Sequence, residues 1–193
     1  MIRKSIARFL LRLAGWTIDP NLPQEAQRCV MIAAPHTSNW DFWYMRLAFF
    51  VMDIPLRYTV KKVLTNFPMG LIFKPLGGIG IDRRPKSGQT TRRRYTEIMK
   101  EIFQKHDRIA MVVTPEGTRS YRDKWKTGFY YTALEANVPI TFGYLDYGKK
   151  LAGVGGVIHP SGDIEADMRI ITAFYNKITP KHPSLFSVDK RYL

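Results

Sequence analysis

The apolar run Cys29-Val30-Met31-Ile32-Ala33-Ala34 stops at Pro35 and is followed almost at once by a helix-start signal, which fixes a strand-to-helix corner early in the chain. The run is short and rich in β-formers, so it reads as a buried strand. Ser38, with Asp41 three residues later, resembles a capping pair, and residues 42–52 supply the apolar body of the helix it opens. His36 then sits just outside a helix N-terminus and Asp41 in its first turn. In a continuous helix a spacing of five would leave the two side chains about 140° apart. They can meet only if the chain turns between them.

An imidazole with one nitrogen on Asp41 keeps the other for a hydroxyl proton. That is half of a triad without its nucleophile. The plainer alternative is a first-turn Asp that answers the helix dipole, preceded by a surface histidine with no task.

Beyond this corner, short apolar runs alternate with helical patterns. Residues 55–60 read as a second strand. Residues 63–76 read as a broken helix around Pro68 and Gly70, carrying Phe67, Met69, Leu71, Ile72 and Phe73. That apolar surface is either core or the mouth of a lipid-binding groove, and core is the expectation. Gly77-Gly78-Ile79-Gly80-Ile81-Asp82-Arg83-Arg84 leads through glycines into a strand that ends in adjacent arginines, which are forked donors suited to phosphate. Its glycines lack dinucleotide-fingerprint spacing. Residues 90–105 form an amphipathic helix, with Tyr95, Ile98, Met99, Ile102 and Phe103 facing inward.

Residues 108–114 are the clearest buried strand and run into Pro115-Glu116-Gly117-Thr118-Arg119-Ser120. Loops after strand ends are the usual ligand sites of α/β sheets, and this loop packs a carboxylate, a glycine, a hydroxyl and an arginine together. Residues 121–128 read as basic and exposed, 129–137 as a helix, 138–145 and 153–158 as strands, and Ser161 as the cap of a helix over 163–177. The pattern predicts a single layered α/β domain: a mixed central sheet flanked by helices, with a basic amphipathic helix at the N-terminus.

In that first helix Ile2, Ile6, Phe9, Leu10 and Leu13 fall on one face while Lys4, Arg8 and Arg12 line the other. The arginines interrupt the apolar run too often for a transmembrane span or a secretory signal core. Residues 1–16 are therefore expected to lie on a membrane surface or on their own domain, residues 17–193. The formal charge of +14 and a pI near 10.0 call for an anionic partner, whether nucleic acid, anionic membrane or phosphorylated substrate. Cys29 is the single cysteine, which excludes an internal disulfide and a cysteine-based zinc site.

Four stretches now stand in order: His36 with Asp41, Gly78-Ile79-Gly80-Ile81-Asp82-Arg83, Glu116-Gly117-Thr118-Arg119-Ser120, and Val138-Pro139-Ile140. Together they resemble the motifs of the glycerolipid acyltransferases, the lysophosphatidic acid acyltransferases and their relatives, and Lys126-Thr127-Gly128-Phe129 is similar to the segment after the third motif. The resemblance implies transfer of a fatty acyl group from a coenzyme A or acyl carrier protein thioester to a glycerolipid hydroxyl, with no other cofactor and no metal. It makes His36 the general base and Asp41 the group that fixes its tautomer. Arg83 and Arg119 would clamp the acceptor phosphate, and Glu116, Gly117 and Thr118 would help seat the acceptor. Pro139 would serve packing or acyl-chain accommodation. Backbone N–H groups at the helix start after His36 would meet the oxyanion.

Gly80 departs from the motif, since relatives often carry an aromatic there, and Arg84 could share the role of Arg83. Relatives also carry longer N-terminal membrane helices, which implies peripheral attachment at the cytoplasmic face of an anionic membrane. The compact size leaves room for another acceptor, such as a lyso-aminolipid. A basic nucleic-acid-binding module would explain the charge but leaves His36, Asp41 and Glu116 idle, and no nucleic-acid motif is present. A non-catalytic membrane-binding relative is the other alternative. The four histidines, His36, His106, His159 and His182, show no metal-ligand spacing.

Overall fold

A computed structural model describes residues 2–82 and 94–193. In chain order the elements are α1 (Ile2–Leu13), β1 (Thr17–Ile18), β2 (Arg28–Ala33), α2 (Asn39–Met52), β3 (Leu56–Lys61), α3 (Gly70–Phe73) and β4 (Gly78–Ile81). They continue with α4 (Tyr95–Gln104), β5 (Ile109–Val113), α5 (Gly128–Ala136), β6 (Ile140–Asp146), β7 (Leu151–Ile158) and α6 (Ile164–Tyr175). Among the described residues, the strands form one seven-stranded sheet in the order β1-β7-β6-β2-β5-β3-β4. Its pairings are parallel except β6 with β7, so the sheet is mixed.

Strand periodicity explains why the centre is apolar on both faces. Val30 and Ile32 of β2 join Ile109 and Met111 of β5 in a core covered by α4, α5 and α6. Cys29 and Met31 point the other way, with Ala110 and Val112, into a core covered by α1 and α2. Cys29 is fully buried, and burial pushes its thiol up to about 12, so it behaves as a small hydrophobe.

Helix α1 meets the domain through a face its periodicity does not single out. Ala7 and Leu11 are buried, and Trp16 just beyond the helix packs on Tyr44 and Tyr147. Ile6, Phe9, Leu10 and Leu13 stay exposed on a stripe about 130° round the helix, and Arg8 and Arg12 occupy the remaining face. Lys4 reaches Asp53 at the end of α2, 3.2 Å away.

The expectation that residues 63–76 are core is corrected. Val63, Phe67, Met69, Leu71 and Ile72 are exposed, because the segment folds as two short turns outside the sheet rather than as a helix against it. Its proximity explains Gly80: a Cβ there would strike the Thr65 side chain, leaving no room for an aromatic. A second correction concerns α6. Asp163, not Ser161, caps it, accepting from the N–H groups of Glu165 and Ala166, while Ser161 bonds the buried Asp167 carboxylate. Arg83, Arg84, Arg92 and Arg93 lie outside the described residues.

Candidate active site

Strands β6, β2 and β5 lie side by side and parallel, so their C-terminal ends share one edge of the sheet. His36 follows β2, Glu116 follows β5 and Tyr147 follows β6. That edge is where open α/β sheets place ligands.

The corner after β2 forms as its residues predict. Ser38 caps α2 and Asp41 completes the capping box. Asp41 Oδ2 accepts from the N–H groups of Thr37 and Ser38, each at 2.8 Å, and faces His36 Nδ1 at 3.5 Å. Its Oδ1 accepts from the Tyr147 hydroxyl at 2.6 Å. Burial alone would raise the Asp41 carboxyl, but hydrogen bonds from His36, Tyr147 and Ser38 outweigh it and hold the group below its ordinary value. The anion is thus fixed on both oxygens, and His36 turns Nδ1 toward it, leaving Nε2 for other work. Burial, then the Asp41 carboxylate, push the Tyr147 hydroxyl well up, so it remains a donor at neutral pH. Sequence reasoning missed Tyr147, which lies 106 positions from Asp41 and enters only because β6 borders β2.

Glu116 was expected to touch the acceptor, and one of its oxygens instead serves the protein. Oε1 accepts from the His36 N–H at 2.9 Å, tying the loop after β5 to the loop after β2. Oε2 is buried without a partner among the described residues. Burial, against the pull of the His36 N–H, pushes the carboxyl up to about 7. Gly117, at φ +66°, makes the turn that sends Glu116 inward and Arg119 outward, and Lys126 lies over it. Thr118 Oγ1 accepts from Ser120 N at 3.2 Å, and Lys126 N bonds Pro115 O at 2.9 Å.

A cavity of about 360 Å³ opens between these loops, within the usual range for small-ligand sites. His36, Asp41 and Arg119 form polar parts of its wall, and Phe42, Met45, Tyr58 and Val112 apolar parts. Arg119 has no carboxylate partner among the described residues, so its guanidinium is available to an anion. Arg83, the other expected phosphate clamp, falls outside the described residues.

The N–H groups of His36, Thr37, Ser38, Trp40 and Asp41 are already bonded within the protein, which narrows the expected oxyanion donors at the helix start to the N–H of Asn39. Pro139 precedes β6 at the opposite edge of the sheet, where its carbonyl accepts from Val30 N at 3.0 Å. Of the two roles expected of it, packing fits this position, since Pro139 does not line the cavity described above.

A family model described as Acyltransferase matches residues 17–141. The fold is similar to the crystal structure of the 1-acyl-sn-glycerophosphate (LPA) acyltransferase PlsC from Thermotoga maritima, with a TM-score of 0.52 and 15% identity over 84% of this chain and 69% of that one. No curated protein matches the chain.

Proposed function

Because the chain belongs to the acyltransferase family, we propose that it moves a fatty acyl group from a coenzyme A or acyl carrier protein thioester to a hydroxyl of a lyso-glycerophospholipid, foremost lysophosphatidic acid. The observation that carries this reading is the shared cavity: His36, Asp41 and Arg119 line it together with Phe42, Met45 and Val112. A base, a fixed anion and a free cation beside an apolar wall suit a substrate that is part phosphate and part hydrocarbon.

In the proposed step, His36 Nε2 takes the proton of the acceptor hydroxyl as its oxygen attacks the thioester carbon. Asp41, locked by Tyr147 and two backbone N–H groups, stabilises the imidazolium. Collapse of the tetrahedral intermediate breaks the carbon–sulfur bond, and the thiolate leaves with the proton that His36 returns. No acyl-enzyme is needed. Arg119 holds the acceptor phosphate. The His36 N–H to Glu116 bond keeps the histidine loop seated over the cavity.

The substrates are amphiphiles, and the reading places the chain on the cytoplasmic face of an anionic membrane. The exposed stripe Ile6, Phe9, Leu10 and Leu13, beside Arg8 and Arg12, supports that placement, as does the net charge of +14. No helix among the described residues is long and apolar enough to cross a bilayer.

The test is free-thiol release from palmitoyl-coenzyme A on vesicles containing lysophosphatidic acid, comparing wild type with a folded His36→Ala variant. Acceptor-dependent release should fall at least about 10²-fold in the variant, the scale on which general-base catalysis contributes. Equal release from both proteins would sink the role of His36.

A further inference from the structure

Between Asp53 and Asp82 the chain carries no acidic residue, yet it holds Arg57, Lys61, Lys62 and Lys74. In the middle of this stretch Val63 of the turn Lys62–Thr65, Phe67 and Met69 of the link after it, and Leu71 and Ile72 of α3 are exposed, Phe67 to 86% and Leu71 to 71%. A monomeric soluble surface seldom leaves so many large apolar groups together in water. We propose that residues 62–73 are a second lipid-contact element, which inserts Phe67, Leu71 and Ile72 into an anionic leaflet beside the mouth of the acyl cavity.

Much of the segment's backbone is bonded within the segment, which suits the interface of a bilayer. Asn66 N bonds Val63 O, Gly70 N bonds Asn66 O, Leu71 N bonds Pro68 O and Ile72 N bonds Met69 O, while among the described residues the N–H groups of Phe67 and Met69 make no backbone bond and remain for lipid headgroups or water. Each internal bond is one polar group that can leave bulk water without being stranded, and the groups left over set the depth at the headgroup level. Gly70 is required for this fold, because a Cβ there would strike the Thr65 carbonyl.

Charge selects the occupant. Lys61 and Lys74 are exposed at the two ends, and among the described residues neither has a carboxylate partner. Apolar side chains between flanking lysines match a lipid surface whose headgroups are anionic and whose interior is hydrocarbon. Against a second copy of this chain the same lysines would face a protein that is itself strongly cationic.

Position supplies the purpose. Residues 62–73 follow directly on β3, whose Tyr58 and Thr59 line the cavity. Arg46 of α2 donates to Pro75 O at 3.3 Å, and α2 supplies Phe42 and Met45 to the same cavity. The segment is therefore fastened to two cavity walls, and an acyl chain leaving the leaflet beside it would meet those walls next. The choice of lipid as occupant rests on the acyl-transfer reading, but its test requires no turnover.

The single native cysteine is fully buried, so a cysteine introduced at Leu71 can carry an environment-sensitive fluorophore alone. Labelled Leu71→Cys is titrated with phosphatidylglycerol/phosphatidylcholine vesicles, with labelled Lys124→Cys as a comparison. The label at 71 should gain at least about twofold in emission and shift to the blue on anionic vesicles, while the label at 124 stays unchanged. In co-sedimentation, Phe67→Ser with Leu71→Ser should weaken vesicle binding at least about tenfold. A silent label at 71 on vesicles, or an unchanged affinity of the double variant, overturns the proposal. So does a blue shift without vesicles that grows with protein concentration, because a second copy then covers the segment. Vesicle contact at 71 in a protein that releases no thiol would keep this inference and remove the acyl-transfer reading instead.

Discussion

One phenol closes the shell of the site's carboxylate. Tyr147 is the sole side-chain hydroxyl on Asp41 Oδ1 among the described residues, and Asp41 in turn faces His36. Removing a donor from a charged acceptor leaves that oxygen free to turn or to gather a proton. Tyr147→Phe should lower kcat for thiol release about tenfold, with KM within about twofold, since the lost bond fixes the carboxylate that faces His36 and does not hold bound substrate. The donor helps hold the Asp41 carboxyl below its ordinary value, so its loss raises that carboxyl, and the fall of kcat on the acid side should begin at a higher pH in the variant. A raised KM at unchanged kcat would instead make Tyr147 part of the cavity wall. Glu116 makes the opposite kind of statement. Its carboxyl is pushed from an ordinary 4.5 up to about 7, chiefly by burial. A raised acid is neutral in the fold while pH is low, so it destabilises the protein progressively as pH climbs from 4.5 through 7. The amount is on the order of 3 kcal/mol once pH exceeds the folded value. Glu116→Gln keeps an acceptor for the His36 N–H without the charge. Its Tm should exceed that of wild type by several degrees at pH 8, with the advantage fading by pH 5. A pH-independent difference between the two proteins would show that Glu116 is not neutralised by its surroundings.

At the scale of elements, what could be read in the sequence was what neighbours along the chain decide. Strands β2 and β5 were plain because a strand buried on both faces is a continuous apolar run. The start of α2 was plain because Ser38 and Asp41 bond each other's backbone within one turn. The loops carrying His36 and Glu116 could be marked as strand-end loops, but their contact could not, since it depends on β5 lying next to β2. Tyr147 was hidden for the same reason, and so was the use of the helix-start N–H groups by Asp41 and Glu116. Helix α1 shows a different limit. Its periodicity located an apolar stripe, yet Leu11 and Ala7 on another face do the docking. Periodicity says where apolar side chains gather and not which medium meets them. That same ambiguity makes residues 63–76 read as core although Phe67 and Leu71 stand exposed. Near-equivalent caps are harder still: Ser161 and Asp163 both suit α6, and the choice falls to Asp163 because the buried Asp167 occupies Ser161.

At the scale of the whole molecule, 30 basic against 16 acidic residues leave the chain at +14, an excess that acts in two directions. Free in solution, like charges repel and the compact state is strained by its own field. On an anionic surface the same charges attract, each lysine or arginine near the headgroups contributing about 1 kcal/mol. Salt shortens the screening length from about 10 Å at 0.1 M to about 3 Å at 1 M, and so weakens both effects together. Raising sodium chloride over that range should therefore increase the Tm of the free protein while lowering its affinity for phosphatidylglycerol vesicles at least about tenfold. Binding should not vanish at 1 M, because the stripe on α1 and the side chains at 67 and 71 bury hydrocarbon, which salt does not screen. Complete release at high salt would reduce attachment to adsorption of a cation and would remove both lipid-facing surfaces at once. Affinity indifferent to salt would leave the basic excess without a part in docking, and the net charge would then need an anionic partner other than the bilayer.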